Sequence, residues 1–372
     1  MGLNKKTALV AVLVLAQFGL AAPAGAHPSP RIRELGALPG GGRHSYAMLI
    51  NEDGAVAGVS AAADGWQHAV RWDPDGRIVD LGADFRSDTG VSGMNEHGEV
   101  SGYTNPLRPD HAVRWDRDGR ATILPTPPGY DIVSTRSIAE DGTVIGNASS
   151  WTTQRALRWG PDGRVVELAT LPGGSRSEAV GINAHGEIAG NADTASGAWH
   201  AVKWDRDGRI TDLGSEPGWS GTRAVGINDR GEVAGHVTYE YLLRWDEQGR
   251  VTVLAQRFLA NAIALNDRGS VVGTWENNAA RWDRTGRETV LQGLPGFTSS
   301  PASINNHGQV AGTADGDGFH AVRWSRRGAV TDLGVLPGHD LSRGYGINDR
   351  GVVVGSSATK DFTEERAVLW ED

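Results

Sequence analysis

The chain is 372 residues long, carries 45 acidic against 36 basic side chains for a formal net charge of −9, and contains no cysteine. The missing cysteines remove thiol nucleophiles, Cys-ligated zinc, haem attachment and disulfide staples, so the fold must hold by packing alone. The acidic balance argues against nucleic acid or an anionic membrane surface as a partner.

The first element is residues 1–26. Lys5 and Lys6 precede an apolar run from Ala8 to Ala22 and a terminal Ala24-Gly25-Ala26, the layout of a secretory signal peptide cleaved near Ala26. The run is shorter than the ~20 apolar residues of a membrane span and ends in small residues rather than charges. Without Lys5 and Lys6 the mature chain holds 34 basic and 45 acidic residues, a net −11. No later apolar run is long enough to cross a bilayer, so the expectation is a freely secreted monomer with no membrane span.

Residues 31–372 read as one domain of eight repeats. Trp72, Trp115, Trp159, Trp204, Trp245, Trp282, Trp324 and Trp370 are 43, 44, 45, 41, 37, 42 and 46 residues apart. In phase with them run INEDGAVAG from Ile50, MNEHGEVSG from Met94, INAHGEIAG from Ile182 and their sister segments from Ile227, Leu265, Ile304 and Ile347. The unit from Ile138 has Ala139 where the others have asparagine. A period in the low forties indicates propeller blades or helical arrays. Short apolar runs broken by glycine every ~8–12 residues choose strands.

Each unit is predicted to hold four strands, named a (S-x-A-x-x-I-N), b (G-x-V-x-G), c (HAVRW) and d (R-I-x-D-L-G). Between a and b, and between c and d, stand N-x-x-G or D-x-x-G turns, in which Asx bonds the backbone and Gly takes a left-handed position. The last unit ends after strand c at Asp372, and Arg31–Gly36 (RIRELG) matches the strand it lacks, RIVDLG at Arg77 and RITDLG at Arg209. Pairing the two ends removes an exposed edge. The predicted fold is therefore all-β: an eight-bladed β-propeller of four-stranded antiparallel blades, closed by the N-terminal strand on the C-terminal blade.

The His-Ala-Val-Arg/Lys-Trp segment with its upstream I-N-x-x-G-x-V-x-G resembles the extracellular HAF-repeat family across Arg31–Asp372. His-Ala stands at His68, His111, His200 and His320, each followed by Val where the family name implies Phe; Arg155, Tyr241, Asn278 and Arg366 replace the histidine in the other units. The resemblance implies secretion and a repeat fold, and little chemistry.

Few motifs point to catalysis. The D-x-D-G segments at Asp73, Asp116 and Asp205 resemble a calcium-loop opening but lack its distal ligands, and sister units put Gln248, Thr285 and Arg327 at the second carboxylate; they read as turns, with no metal. The four His-Ala histidines read as structural, and the Arg or Lys that precedes the marker tryptophan in seven units is expected to pack its stem over the indole. Ser357–Lys360 matches S-x-x-K outside the helix that motif needs. No cofactor and no catalytic residue is assigned.

Strand direction places the uniform a–b and c–d turns on one face and the variable b–c and d–a connections on the other. Five tryptophans beyond the markers (Trp66, Trp151, Trp199, Trp219 and Trp275) fall in b–c or d–a connections, together with Tyr103, Tyr130, Tyr239, Phe297, Phe319 and Phe362. Of these, Trp66, Trp151, Trp199, Trp219, Trp275, Tyr103, Tyr130 and Phe297 are the candidate ligand contacts. Aromatic rings on one end of a secreted ring suit sugar faces or protein anchors, although Trp199 and Phe319, directly before His-Ala, also suit packing between blades. The leading expectation is a non-catalytic binding scaffold for an extracellular polysaccharide or protein. A propeller-type polysaccharide lyase or hydrolase, and a purely structural component, are the alternatives.

Overall fold

The computed structural model describes residues 30–105, 111–214, 216, 219, 221–238, 240–257, 260–276 and 278–372. Residues 1–26 and Tyr239 lie outside the described residues. No helix among the described residues is long and apolar enough to cross a membrane.

The described chain forms eight four-stranded antiparallel sheets. Blade 1 shows the pattern: strand a (Ser45–Ile50), b (Val56–Ala61), c (Gln67–Trp72) and d (Ile78–Asp80) pair in sequence order. In blade 8, Leu341–Ile347, Val353–Ala358 and Glu365–Glu371 are strands a, b and c, and the fourth strand is Arg31–Glu34 from the other end of the chain. Its register is Arg31↔Glu371, Ile32↔Trp370, Arg33↔Leu369 and Glu34↔Val368. The fold is an eight-bladed β-propeller.

Eight hydrophobic clusters hold the ring, each shared by two neighbouring blades. Val354, Ala367 and Leu369 of blade 8 pack with Ala47, Val56, Val70 and Trp72 of blade 1, so the last interface is built like the other seven. All eight marker tryptophans are buried. A Cβ on Gly58 would lie 2.1 Å from the Tyr46 carbonyl and 3.1 Å from the Trp72 ring; the last glycine of G-x-V-x-G is there because strand a and the indole both press on it. The turns are as expected: Gly54 N–H donates to Asn51 O at 3.1 Å with φ at +89°, and Gly76 does the same in Asp73–Gly76.

The repeated polar residues are connectors between blades. Each repeat asparagine donates through Nδ2 to the next blade's turn: Asn95 to Ala139 O, Asn183 to Asn228 O, Asn228 to Asn266 O, Asn266 to Asn305 O, Asn305 to Asn348 O. Asn348 then donates to Asn51 O at 3.2 Å, across the junction between the chain's last and first blades. Strand-a hydroxyls of the following blade take the strand-c amide, as Thr89 does from Ala69 and Ser45 from Ala367. Trp159, Trp204, Trp245 and Trp324 donate Nε1–H to a carbonyl of the preceding d–a connection.

One sequence expectation needs correction. The arginine before the tryptophan points to the opposite face of the strand from the indole and reaches the next blade: Arg71 donates to Gly98 O and Arg117 O at 2.8 Å each, and Arg281 to Gly308 O and Arg326 O. The strand-d acid faces one residue away from that arginine, because the register is Val70↔Asp80 and Arg71↔Val79. On its own face it meets the His-Ala histidine. His68 Nδ1 lies 2.9 Å from Asp80, His200 Nδ1 3.0 Å from Asp212 and His320 Nδ1 2.9 Å from Asp332. Where arginine replaces histidine the pair persists, with Arg155–Glu167 and Arg366–Glu34 both at 3.7 Å.

Candidate functional site

The tight-turn face is closed by its own chemistry. Except at Ala184, the residue after a repeat asparagine uses its side chain to accept the backbone N–H of the preceding blade: Glu96 from Glu52, Asp229 from Ala184, Asp267 from Asp229, Asp349 from Asn306, and Glu52 from Asp349. With Glu140, these carboxylates ring this end of the axis. Burial, with Glu140 and Glu52 adding charge, pushes Glu96 above the usual carboxylate range. Interblade clefts of about 210 to 700 Å³ open on this face. In the largest, Lys203 meets Glu187 at 3.0 Å and Arg284 meets the buried Glu232 at 3.1 Å. The turn aspartates are engaged too: Asp73 takes Arg71 and Arg77, and Asp116 Oδ1 takes the amides of Asp118 and Arg120.

The b–c/d–a face separates the candidate aromatics into two groups. Trp151, at the blade 3 b–c tip, is 98% exposed and Trp66, at that of blade 1, is 43% exposed. Phe362 stands exposed on the blade 8 tip, with φ at +55°. The others are engaged by protein. Trp219 packs against the blade 4–5 cluster with Tyr241, ring centroids 5.3 Å apart. Trp275 meets Trp282 edge-on at 5.8 Å and carries the Arg257 guanidinium over its ring at 4.2 Å. Trp199 has Arg223 over it at 4.1 Å and Arg176 at 5.0 Å. Tyr130 donates to Glu167 at 3.0 Å while resting on the blade 2–3 cluster, Phe297 stacks edge-on with His320, and Tyr103 covers Gly90.

The bulges of the innermost strands carry no mark in the sequence. Strand a is innermost, and in every blade its pairing to strand b carries a bulge near mid-strand. The bulge breaks the two-residue alternation; Met48, Val180, Val225 and Ile263 pack there against the interblade clusters, and Ser92 Oγ lies 2.7 Å from Thr135 Oγ1 of the next blade. The bulge residues are Met48, Ser92, Arg136, Val180, Val225, Ile263, Ala302 and Tyr345. Arg136 is exposed at its bulge.

Two residues before the bulge stand Glu178 and Arg223 in adjacent blades, 2.8 Å apart. Asn191 donates to Glu178 at 2.8 Å, and His236 is Arg223's cross-strand partner. His236 Nδ1 is buried with no hydrogen-bond partner, and burial, then the Arg223 charge, lowers its pKa below the ordinary histidine value. Arg343, at the same strand position in blade 8, lies 4.0 Å over Phe319 and 5.5 Å from Phe362. Arg223 over Trp199 repeats that arrangement, a strand-a arginine on the aromatic that starts strand c of the preceding blade.

No family model and no curated protein matches the chain. Among solved structures, virginiamycin B lyase from Staphylococcus aureus superposes with a TM-score of 0.53 at 14% identity, covering 76% of this chain and 96% of that one. Puromycin hydrolase gives 0.53 at 15% identity over 85% of this chain and 58% of that one. A Mycobacterium tuberculosis puromycin-hydrolyzing peptidase gives 0.51 at 15% over 93% and 54%. The likeness is one of fold. At such identities the comparison supports the propeller fold and carries no chemistry.

Proposed function

We infer that this propeller is a secreted, non-catalytic binding protein that captures an extracellular polysaccharide or protein on its b–c/d–a face. Secretion is read from the lysine-led apolar run of residues 1–26, and the kinship with HAF-repeat proteins from the His-Ala-Val-Arg/Lys-Trp segments. The observation that carries the binding reading is the uncovered indole of Trp151, 98% exposed on a loop of the variable face. An exposed indole on a soluble protein is costly in free energy terms and suits stacking on a pyranose face or anchoring a protein partner. Trp66 and Phe362, on the adjacent blades 1 and 8, supply further open rings on the same face.

The test is a glycan array and a secreted-protein panel probed with the wild type and a Trp66→Ala/Trp151→Ala double variant. Binding lost in the variant, with an unchanged melting temperature, supports the reading. Binding by neither protein leaves the purely structural role. One observation favours a second reading, catalysis at the channel. Glu178, Arg223, Asn191 and His236 meet in one place, with the buried His236 lowered below the ordinary histidine value, and a titratable group shifted by its surroundings within such a cluster is a mark of active sites. Product release from a polysaccharide that stops in His236→Ala would establish it.

A further inference from the structure

We propose that the cleft between blades 6 and 7 on the tight-turn face binds a phosphate dianion, free or as a monoester, through Arg268, Arg281 and Arg326. The site lies apart from the aromatic loops and is independent of what they capture.

The repeat allows each cleft to be compared with its sisters. The cleft between blades 4 and 5 is lined by Glu187, Lys203, Asp229 and Glu247, and Lys203 is answered there by Glu187 at 3.0 Å. At the corresponding positions the blade 6–7 cleft has Ser270, Arg281, Asn306 and Arg326. Three carboxylates have become a hydroxyl, an amide and a guanidinium, while the cation has stayed. Arg268 and His307 line the same cleft, whose volume is about 210 Å³. Sites for whole drug-sized molecules run to ~300–1,000 Å³, so this one has room for a single charged group.

The fold holds the cations close together. Arg281, only 7% exposed, donates through Nη1 to Gly308 O at 2.7 Å and through Nη2 to Arg326 O at 2.8 Å. Gly308 has φ at +77°, and a Cβ on it would clash with Arg281 Nη1 and lie 3.6 Å from Arg326 Cγ. Both side chains therefore crowd one glycine. Burial, then the Arg326 charge, lowers the Arg281 pKa below the ordinary arginine value. The two guanidiniums repel, and an anion beside them offsets that repulsion. Arg281 Nε is buried with no hydrogen-bond partner, a donor the fold leaves unused.

Charge decides the ligand. Asp283 is the one carboxylate among the described residues that line the cleft, and its Oδ1 already accepts from Thr285 Oγ1 and from the amides of Thr285 and Arg287. Among the described residues, the ion pairs of blades 6 and 7 are Arg257–Glu288, Arg284–Glu232, His320–Asp332 and Arg323–Asp372, none of which involves Arg268, Arg281 or Arg326. With Arg284 paired and His307 left aside, three guanidiniums against one carboxylate leave two positive charges uncompensated. A phosphate group of about −1.5 to −2 near neutral pH matches that excess, whereas a single carboxylate cancels half of it. The guanidinium fork also presents its donors in pairs, as phosphate oxygens accept them.

The experiment is calorimetric titration of the full chain with inorganic phosphate, glycerol phosphate and acetate at matched ionic strength, with melting temperatures read alongside. The wild type is compared with Arg268→Gln/Arg326→Gln and with Ser270→Glu, which restores the carboxylate that blades 2, 4 and 5 carry as Glu99, Glu187 and Glu232. Arg281 stays intact because it ties the two blades. Phosphate should bind the wild type and raise its melting temperature, with affinity about 10- to 100-fold weaker in both variants, as for lost charge-assisted hydrogen bonds. Without ligand, Ser270→Glu should melt higher than the wild type, since the new carboxylate answers the same cations. Glycerol phosphate bound as tightly as inorganic phosphate supports the site and assigns a ligand that carries the group; inorganic phosphate bound alone supports it and assigns the free ion. Binding of neither phosphate at millimolar concentration, acetate as effective as phosphate, or a folded Ser270→Glu that binds like the wild type overturns the site.

Discussion

Ala139 interrupts the ring of asparagine amides, and replacing it gives a test in which the sign of the effect decides. Every other repeat places asparagine at this position, with Oδ1 accepting its own turn's N–H and Nδ2 donating to the next blade, as Asn183 does to Glu187 N at 2.9 Å and Asn228 O at 3.0 Å. Ala139 receives the Asn95 amide at 3.1 Å and passes nothing on to Asn183. In Ala139→Asn the new Nδ2 would face the Asn183 carbonyl and the new Oδ1 the Thr143 N–H, now shared with Asp141 at 2.9 Å. Ala139 is 7% exposed, so an amide put there is either paired or stranded. Paired, it adds about 0.5–1.5 kcal/mol for the new bond, which for a domain of this size raises the melting temperature by about 1–3 °C. Stranded, it costs about 1–3 kcal/mol. Thermal unfolding followed by circular dichroism reads the difference. An unchanged or lower melting temperature with an intact spectrum would refute the connector role given to the ring.

Further outcomes follow from the same contacts. Trp204→Phe should cost about 1 kcal/mol more than Trp282→Phe, because Trp204 Nε1 donates to Ala169 O at 2.8 Å and Trp282 Nε1 has no partner; denaturant titration of the two variants measures this. Asn266→Ala removes the donor to Asn305 O and the acceptor for two turn amides, and should cost about 2–4 kcal/mol in the same assay. Glu96 has a raised folded-state pKa, so its penalty is absent below the unfolded-state pKa and grows as pH rises through the folded-state pKa. Glu96→Gln, which keeps an acceptor for the Glu52 amide, should therefore be more stable than wild type at neutral pH and equal to it in acid, as read from melting temperatures across pH. Trp151→Ala, removing a side chain 98% exposed, should leave the melting temperature unchanged.

The architecture was legible because it is periodic. Marker tryptophans, Asx-Gly turns and the spare RIRELG strand each recur in phase, and together they specify strand order, turn face and closure. What was hidden lies between repeats. Asn228 looks like an ordinary turn residue until Asn266 is seen beyond it, and Arg71 looks like a cover for Trp72 until the Gly98 carbonyl is placed. The partner of Asp80 is set by register, Val70↔Asp80, which puts its carboxylate beside His68 and not beside Arg71; one residue in a strand decides which face a side chain occupies. Trp219 and Trp275 counted as loop aromatics in sequence, and the neighbouring rings that absorb them, Tyr241 and Trp282, belong to strands c. The pairing of Glu178 with Arg223 was hidden for a third reason: the two stand 45 residues apart in neighbouring blades, and nothing local to either marks the other.

The division into a holding face and a recognition face depends on the two chain ends meeting in one sheet. Leu35 N–H donates to Ala367 O at 2.9 Å, next to the close cross-strand pair Glu34 and Val368. A Glu34→Cys/Val368→Cys variant, in a chain with no other cysteine, measures this directly. The account predicts an intramolecular disulfide on mild oxidation, found as a single crosslinked tryptic peptide, with a higher melting temperature than the reduced form. Thiols that stay free, or that link only between molecules, would contradict the closed ring.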